Sequence, residues 1–263
     1  MSNSSVAAVI VTYNNEDTIS ACAKSLQTRN IKAIVVDNAS QDGTIRVIRK
    51  NASQVVQNKT NLGFAAAVNI GCKQYIDWEY VLLLNPDAEL KSSLDEAVQH
   101  FRNHPKTGVI GLGLHDSKTG KLERDSFGAE PTLSNLLQRK ISTTENYKLQ
   151  ITNYSLVDWV SGGAMVIRNE TFHDVGGFDE DFFLYWEDID FCHRARKAGW
   201  QVLRIPSIHV DHHRGVSLED KKTKTRLYDT SADRYYQKHY SKALWQIQHF
   251  LRRIYRWLSP QVR

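Results

Sequence analysis

The chain has 263 residues, 41% of them hydrophobic and 10% aromatic, a composition that suits one large soluble unit with a full core. Its formal net charge of +5 comes without any nucleic-acid recognition motif, so no nucleic-acid partner is expected. No apolar stretch approaches the ~20 residues of a membrane span, and residues Met1 to Val6 lack the pattern of a signal peptide, so a cytoplasmic location is expected.

Ala7 to Thr12 is a short apolar, β-branched run, after which Ile19, Cys22, Ala23 and Leu26 recur at helical spacing. A strand feeding a helix is predicted. The pattern returns at Ala33 to Val36, which ends at Asp37, at Val55-Val56, which leads to Asn58, and at Val81 to Leu84, which ends at Asn85-Pro86-Asp87. Continuous rather than alternating apolar strands imply burial on both faces, hence an α/β protein with a mostly parallel sheet covered by helices. Ligands of such sheets gather at the carboxyl ends of the strands, so Tyr13, Asp37, Asn58 and Asp87 are expected on one rim. The three cysteines, Cys22, Cys72 and Cys192, are too widely spaced for a zinc pair or a disulfide framework and are expected to be small buried hydrophobes.

Val109 to Leu112 predicts a further strand, and His115 to Asn153 is polar and weakly periodic, as an insertion would be. Val157 to Ile167 is strand-like around Gly162-Gly163, and Gly176-Gly177-Phe178 marks a turn. Tyr185-Trp186-Glu187-Asp188-Ile189-Asp190 then sets three carboxylates beside large aromatics at the start of a helix, Glu187 to Ala198, closed by Gly199. Asp188, Cys192 and Ala195 share one stripe of it, so Asp188 faces a cleft if the small residues pack inward. A strand from Gln201 to Ile205 precedes a His-rich turn, His209 to Gly215. From Arg234 to Arg263 there is no acid and seven Lys or Arg. Within that stretch Leu244, Ile247, Leu251, Ile254 and Leu258 form the stripe of an amphipathic helix, with Gln248, Arg252, Arg253 and Arg256 assigned to its surface.

No Gly-x-Gly-x-x-Gly follows the first strand and no P-loop is present, which argues against dinucleotide redox chemistry and P-loop phosphoryl transfer. The ordered motifs Val9-Ile10-Val11-Thr12-Tyr13-Asn14, Val35-Val36-Asp37-Asn38-Ala39-Ser40-Gln41-Asp42-Gly43-Thr44 and Asn61-Leu62-Gly63-Phe64 resemble family 2 glycosyltransferases. The likeness runs from Val6 to about Ser217 and is greatest to the rhamnosyltransferases of bacterial surface polysaccharide synthesis. It implies a GT-A fold over residues 1–217, with a nucleotide-binding half joined to an acceptor-binding half, and a basic helical extension over 218–263. It also implies an inverting enzyme with a nucleotide-sugar donor, a glycan or lipid-linked acceptor and a divalent cation, Mg or Mn.

By that resemblance Thr12, Tyr13, Asn14, Asp37, Asn61, Gly63, Asn69 and Asn85 hold the donor, and Arg214 contacts its phosphates. The alternative for Asp37 is a helix N-cap or turn residue, a role that Asn38 or Ser40 could fill as well, and Asn69 could simply belong to a helix start. Asn85-Pro86-Asp87 stands where many GT-A enzymes carry Asp-x-Asp, leaving Asp87 as the acidic cation ligand. His212 is the preferred second ligand, with His209 and His213 as alternatives. Asp188 of Trp186-Glu187-Asp188 matches the family's general base, and Trp159, Gly162, Gly163, Trp186 and Glu187 border the acceptor. The implied donor is dTDP-L-rhamnose, with UDP-hexoses or UDP-galactofuranose as alternatives. The basic tail could rest on an anionic membrane, on the domain itself or on a second subunit of a homodimer. A non-catalytic sugar-nucleotide-binding scaffold is one rival. A nucleotidyltransferase ranks last, because Tyr13 to Ile19 offers no Lys or Arg for a triphosphate.

Overall fold

In the computed structural model, residues 5–51, 54–74, 78–132, 135, 154–213 and 220–258 are described. Strands β1 (Val6–Thr12), β2 (Lys32–Asp37), β3 (Gln54–Gln57) and β4 (Tyr80–Leu84) pair in parallel in the order β3-β2-β1-β4. Every residue of β1 is buried, as its unbroken apolar run predicts. Helix α1 (Ile19–Gln27) packs Ile19, Cys22 and Leu26 with Ile10 and Val35 on one face of the sheet. Helix α2 (Thr44–Asn51) adds Ile48 to the same face. Helix α3 (Phe64–Lys73) packs Ala65, Ala67, Val68 and Cys72 with Val9, Ile34 and Val36 on the other. All three cysteines are free and buried, as expected. Thr12 lies beside Asp37 and Asp37 beside Gln57, so the strands end flush and share a rim. The chain leaves β1 for β2 on one side and returns as β4 on the other, which opens a crevice at their carboxyl ends.

The second half comprises β5 (Ala88–Leu90), α4 (Asp95–Asn103), β6 (Thr107–Asp116), β7 (Phe127–Gly128), β8 (Ser155–Leu156), β9 (Trp159–Val160) and β10 (Ala164–Arg168). After these come α5 (Asn169–Asp174), α6 (Glu187–Lys197), β11 (Gln201–His212), α7 (Lys221–His239) and α8 (Lys242–Leu258). The sheet continues from β4 as β10-β6-β11-β5; β10 is antiparallel to both its neighbours, while β6 and β11 are parallel.

The structure corrects several expectations. The His-rich segment is not a turn: β11 slips register on β6 between Ile205 and His209, then runs on to His212, which pairs with Ala88. Gly113 makes this slip possible, because a Cβ there would lie 2.2 Å from the Pro206 carbonyl oxygen. The apolar run from Val157 to Ile167 is two strands, β9 and β10, separated by the turn at 161–163. Helix α7, which the sequence reading did not single out, is capped by Asp220, whose carboxylate accepts from the Lys222 and Thr223 amides at 3.0 Å each. It is anchored by Tyr235 and Tyr236, both fully buried with Phe182 and Trp186. Much of the polar stretch from 115 to 153, read as an insertion, lies outside the described residues.

Candidate active site

A cavity of about 500 Å³ occupies the crevice between β1 and β4, a size suited to a small-molecule ligand. Its wall is built first from the loop after β1. Thr12 Oγ1 and the Tyr13 amide both donate to Asn15 Oδ1 at 3.0 Å, so the loop closes on itself. Thr12, Tyr13 and Asn15 line the cavity. Among the described residues the buried Asn15 Nδ2 has no hydrogen-bond partner. Asn14 takes a left-handed backbone, φ +56°, and turns away: its amide donates to Ser40 Oγ at 2.9 Å and its Oδ1 accepts from the Gln41 amide at 2.8 Å.

Asp37 is fully buried, and Ser40 satisfies it, Oγ donating at 2.5 Å and the amide at 3.1 Å. It takes the turn-closing position, and the next residue, Asn38, reaches the wall instead. Asn38 Nδ2 donates to the Gly63 carbonyl at 3.0 Å, while the Gly63 amide donates to Asn61 Oδ1 at 2.9 Å. Only glycine suits position 63, where φ is +86° and a Cβ would lie 2.5 Å from the Phe183 carbonyl oxygen. Asn69 sits off the cavity inside α3. Its Nδ2 donates to the Phe178 carbonyl at 2.8 Å and its Oδ1 accepts from the Phe178 amide at 2.9 Å, leaving the amide fully engaged in fastening that loop.

The floor is charged. Asp87, 2% exposed, faces His212 Nε2 across 3.2 Å through Oδ1, which makes no hydrogen bond of good geometry; the attraction is electrostatic. On the other side of the ring, Nδ1 lies 2.9 Å from Glu123 Oε1. Burial works against a charge on the imidazole, yet Asp87 and Glu123 outweigh it and raise the His212 pKa to about 9. The same arrangement suits a divalent cation: a buried carboxylate oxygen lacking a donor, an imidazole nitrogen beside it, and a carboxylate on the opposite ring nitrogen to fix its orientation. Among the described residues no cluster of three or more His, Cys, Asp or Glu side chains could hold a metal, so Asp87 and His212 are the pair of candidate ligands there. His209 instead pairs with Asp211 at 2.7 Å and stacks on His115, and His213 pairs with Glu89 at 2.7 Å. Arg214 lies outside the described residues; from α7, Lys224 and Leu227 line the cavity.

The acidic run stands beside this cavity, behind a thin partition. Asp188 Oδ2 accepts from the Gly162 amide at 3.0 Å and Oδ1 from the Ile189 amide at 2.8 Å. A Cβ on Gly162 would lie 3.2 Å from Phe64, a wall residue, and 3.8 Å from Asp188 Cβ, so the Gly162 turn packs against both. Gly163 joins the same partition to the floor through its carbonyl, which accepts from the Asn85 amide at 3.0 Å. Burial raises the pKa of Asp188, the two amides opposing it. Glu187 is raised further, by burial and then by the charge of Asp188, and among the described residues its Oε2 has no partner. Each carboxylate of the pair thus makes ionisation of the other harder, and burial presses on Glu187 more than on Asp188. Trp159 is turned from the cavity, its Nε1 donating to the Ala129 carbonyl at 3.0 Å, and Trp186 packs at a tilt against Tyr235 and edge-on against Tyr236 of α7.

Residues 7–176 match the family described as glycosyl transferase family 2. The chain belongs to that family. Residues 145–220 also match the N-terminal domain of galactosyltransferase. This glycosyltransferase is 29% identical over 234 residues to the N-acetylglucosaminyl-diphospho-decaprenol L-rhamnosyltransferase of Mycobacterium tuberculosis, covering 80% of this chain and 76% of the relative. It is 28% identical over 238 residues to the rhamnosyltransferase WbbL of Escherichia coli, covering 84% and 89%. Among solved structures it resembles a mannosyltransferase of Pyrobaculum calidifontis in complex with GDP-Man and Mn2+, with a TM-score of 0.63 at 16% identity over 98% of this chain and 72% of the other. At that identity the likeness carries the GT-A fold.

For the glycosyltransferase, then, the expected site residues divide. Thr12, Tyr13, Asn61, Gly63, Asn85, Asp87 and His212 meet on one cavity. Asn14, Asp37, Asn69, Trp159, Trp186 and Glu187 are not on its wall, and of the aspartates 37, 87 and 188 only Asp87 is. Asn15, Asn38, Glu123 and Lys224 join the site unannounced. The first two sit inside recognisable strand-end motifs; Glu123 and Lys224 have no local signal, being single charges in polar stretches.

Proposed function

We propose that the protein transfers L-rhamnose from dTDP-L-rhamnose, with inversion, to a lipid-linked or growing glycan in surface polysaccharide synthesis. The observation that carries the transferase reading is the Asp87–His212 pair on the floor of the strand-end cavity, 3.2 Å apart, below an uncharged wall of Thr12, Asn15, Asn38 and Asn61. The choice of sugar rests on the likeness to the two rhamnosyltransferases of Mycobacterium tuberculosis and Escherichia coli.

In this reading the nucleoside lies against the Thr12–Asn15 loop and the Asn61–Gly63 loop, whose backbone groups are already fixed by side-chain amides. Asp87 and His212 would hold a divalent cation, Mg or Mn, which when bound neutralises charge developing on the leaving diphosphate. Glu123 keeps the His212 ring oriented. Asp188 takes the proton from the acceptor hydroxyl as that oxygen forms its bond to the anomeric carbon and the bond to the diphosphate breaks. Its elevated pKa, raised by burial, suits it to that task.

The test is a panel of nucleotide sugars scored for binding and for cation-dependent release of the nucleotide. Protection from thermal unfolding by dTDP-L-rhamnose in the presence of Mn2+, lost in Asp87→Ala and unaffected in His209→Ala, is expected. Equal protection by every nucleotide sugar would defeat the rhamnose assignment. A preference for a UDP-hexose or UDP-galactofuranose would favour the alternative that the galactosyltransferase match over residues 145–220 supports.

A further inference from the structure

Helix α8 is built inside out. At spacings of three and four, Trp245, Gln248, His249 and Arg252 face α7, and three of them converge on one carboxylate. Trp245 Nε1 donates to Asp233 Oδ1 at 3.3 Å, His249 Nδ1 meets Oδ2 at 3.0 Å, and Arg252 also pairs with Asp233. Gln248 is 3% exposed. The polar side of the helix is thus its buried side, contrary to the surface position expected for Gln248 and Arg252. The reason is Asp233: a charge on α7 draws hydrogen-bond donors inward.

The apolar stripe is consequently turned out. Leu244, Ile247, Phe250, Leu251 and Ile254 are all exposed, Phe250 to 62%. Large apolar side chains displayed in a row along one helix mark a contact surface. To one side of the stripe stand Lys242 and Arg253, also exposed, and the sequence carries no acid from 234 to 263. That charge pattern selects the occupant. A two-fold pairing of α8 with a second copy would bring basic flanks together with no acid in either α8 to neutralise them, whereas a negatively charged lipid surface answers both the apolar stripe and its cationic border.

We propose that the outward face of α8 docks on an anionic lipid bilayer, lying in its interface. Among the described residues no helix is long and apolar enough to cross a membrane. The placement has a geometric corollary. Asp233, which fixes α8, lies nine residues along α7 from Lys224 on the cavity wall, roughly 14 Å at helical rise. Docking therefore sets the bilayer against the helix that packs on α7, one of the elements lining the cavity. The docking claim is read from α8 and Asp233 alone and stands or falls apart from any transfer reaction.

The experiment is vesicle co-sedimentation of the full chain. Vesicles of phosphatidylcholine containing roughly one-third phosphatidylglycerol are expected to bind it at low salt, and pure phosphatidylcholine to bind it far less. Ile247→Ser with Phe250→Ser should weaken binding roughly tenfold or more, and Arg253→Glu about fivefold. These positions are exposed, so circular dichroism and the thermal midpoint should stay unchanged; should the double variant melt early, Phe250→Ser alone supplies the same reading. Absence of binding to the anionic vesicles at low salt would overturn the proposal. So would equal binding by the variants, or a dimer in sedimentation equilibrium that the double substitution splits while vesicles bind nothing.

Discussion

The two walls of the cavity are made by opposite means. The wall of the β1, β2 and α3 loops is uncharged: Asn15 accepts from the Thr12 hydroxyl and the Tyr13 amide, and Asn38 and Asn61 both hold the Gly63 backbone. The wall leading into α6 relies on strain and charge. Tyr185 and Trp186 both hold left-handed backbones, φ +69° and +67°, at a cost of about 1–2 kcal/mol each. Directly after them come Glu187, with an unpartnered buried oxygen, and Asp190, gripped by Arg194, Lys238 and His239 at 2.7 to 2.8 Å. A locally closed loop keeps its shape by itself, whereas this second wall keeps its shape only while α7 stays packed against it.

The contrast can be broken hardest at Asp188. Asp188→Asn keeps the size of the side chain and removes the proton acceptor, so turnover should fall on the order of 10³-fold while nucleotide-sugar binding on the uncharged wall stays within about twofold. Turnover close to wild type at saturating substrates would remove Asp188 from the chemistry.

Next in size is Asp190→Asn, which leaves buried cations without their carboxylate and should cost about 3 kcal/mol of folding stability in denaturant titrations. Burial works to raise the Asp190 pKa, but His239, Arg194 and Lys238 bring it down from 3.8 to about 2. A depressed folded pKa contributes stability that is present above the ordinary value of 3.8 and lost as pH falls through about 2. Stability curves measured between those values should therefore be steeper for the wild type than for the Asn variant; parallel curves would show that the grip on α7 lies elsewhere.

The smallest effect probes the fastening between the walls. Asn69→Ala removes two hydrogen bonds to Phe178 and should cost about 1–2 kcal/mol in thermal or chemical unfolding. Because Asn69 lies off the cavity, the affinity for nucleotide sugar should change little. A large loss of affinity with unchanged stability would return Asn69 to the donor site.

How much of this was legible depended on whether the cause was local. Strands β1, β2 and β4 announced themselves by unbroken apolar runs, and their flush carboxyl ends follow from parallel pairing. Asp87 and His212 were readable through the family resemblance: Asp87 follows the apolar run of β4, whereas His212, expected in a turn, ends a strand that reaches it through a register slip at the Gly113–Pro206 approach. Asp37 was ambiguous in sequence because a carboxylate after a strand either binds a ligand or closes a turn; its partner in the structure, Ser40, is ordinary in sequence. Asn69 faces a loop 109 residues away, which no local pattern records. For α8 the apolar period was plain, but periodicity gives the width of a stripe and not its direction. That was set by Asp233 on another helix.

The consecutive left-handed residues at Tyr185 and Trp186 make the acidic segment non-portable. Their conformation survives because Trp186 packs against Tyr235 and Tyr236, ring centroids 5.3 and 5.7 Å away. Grafting residues 183–190 into a related scaffold to change which hydroxyl is glycosylated would deliver the carboxylates in the wrong posture unless α7 travelled with them. Chimaeras in this family should therefore exchange the two segments as a single cassette.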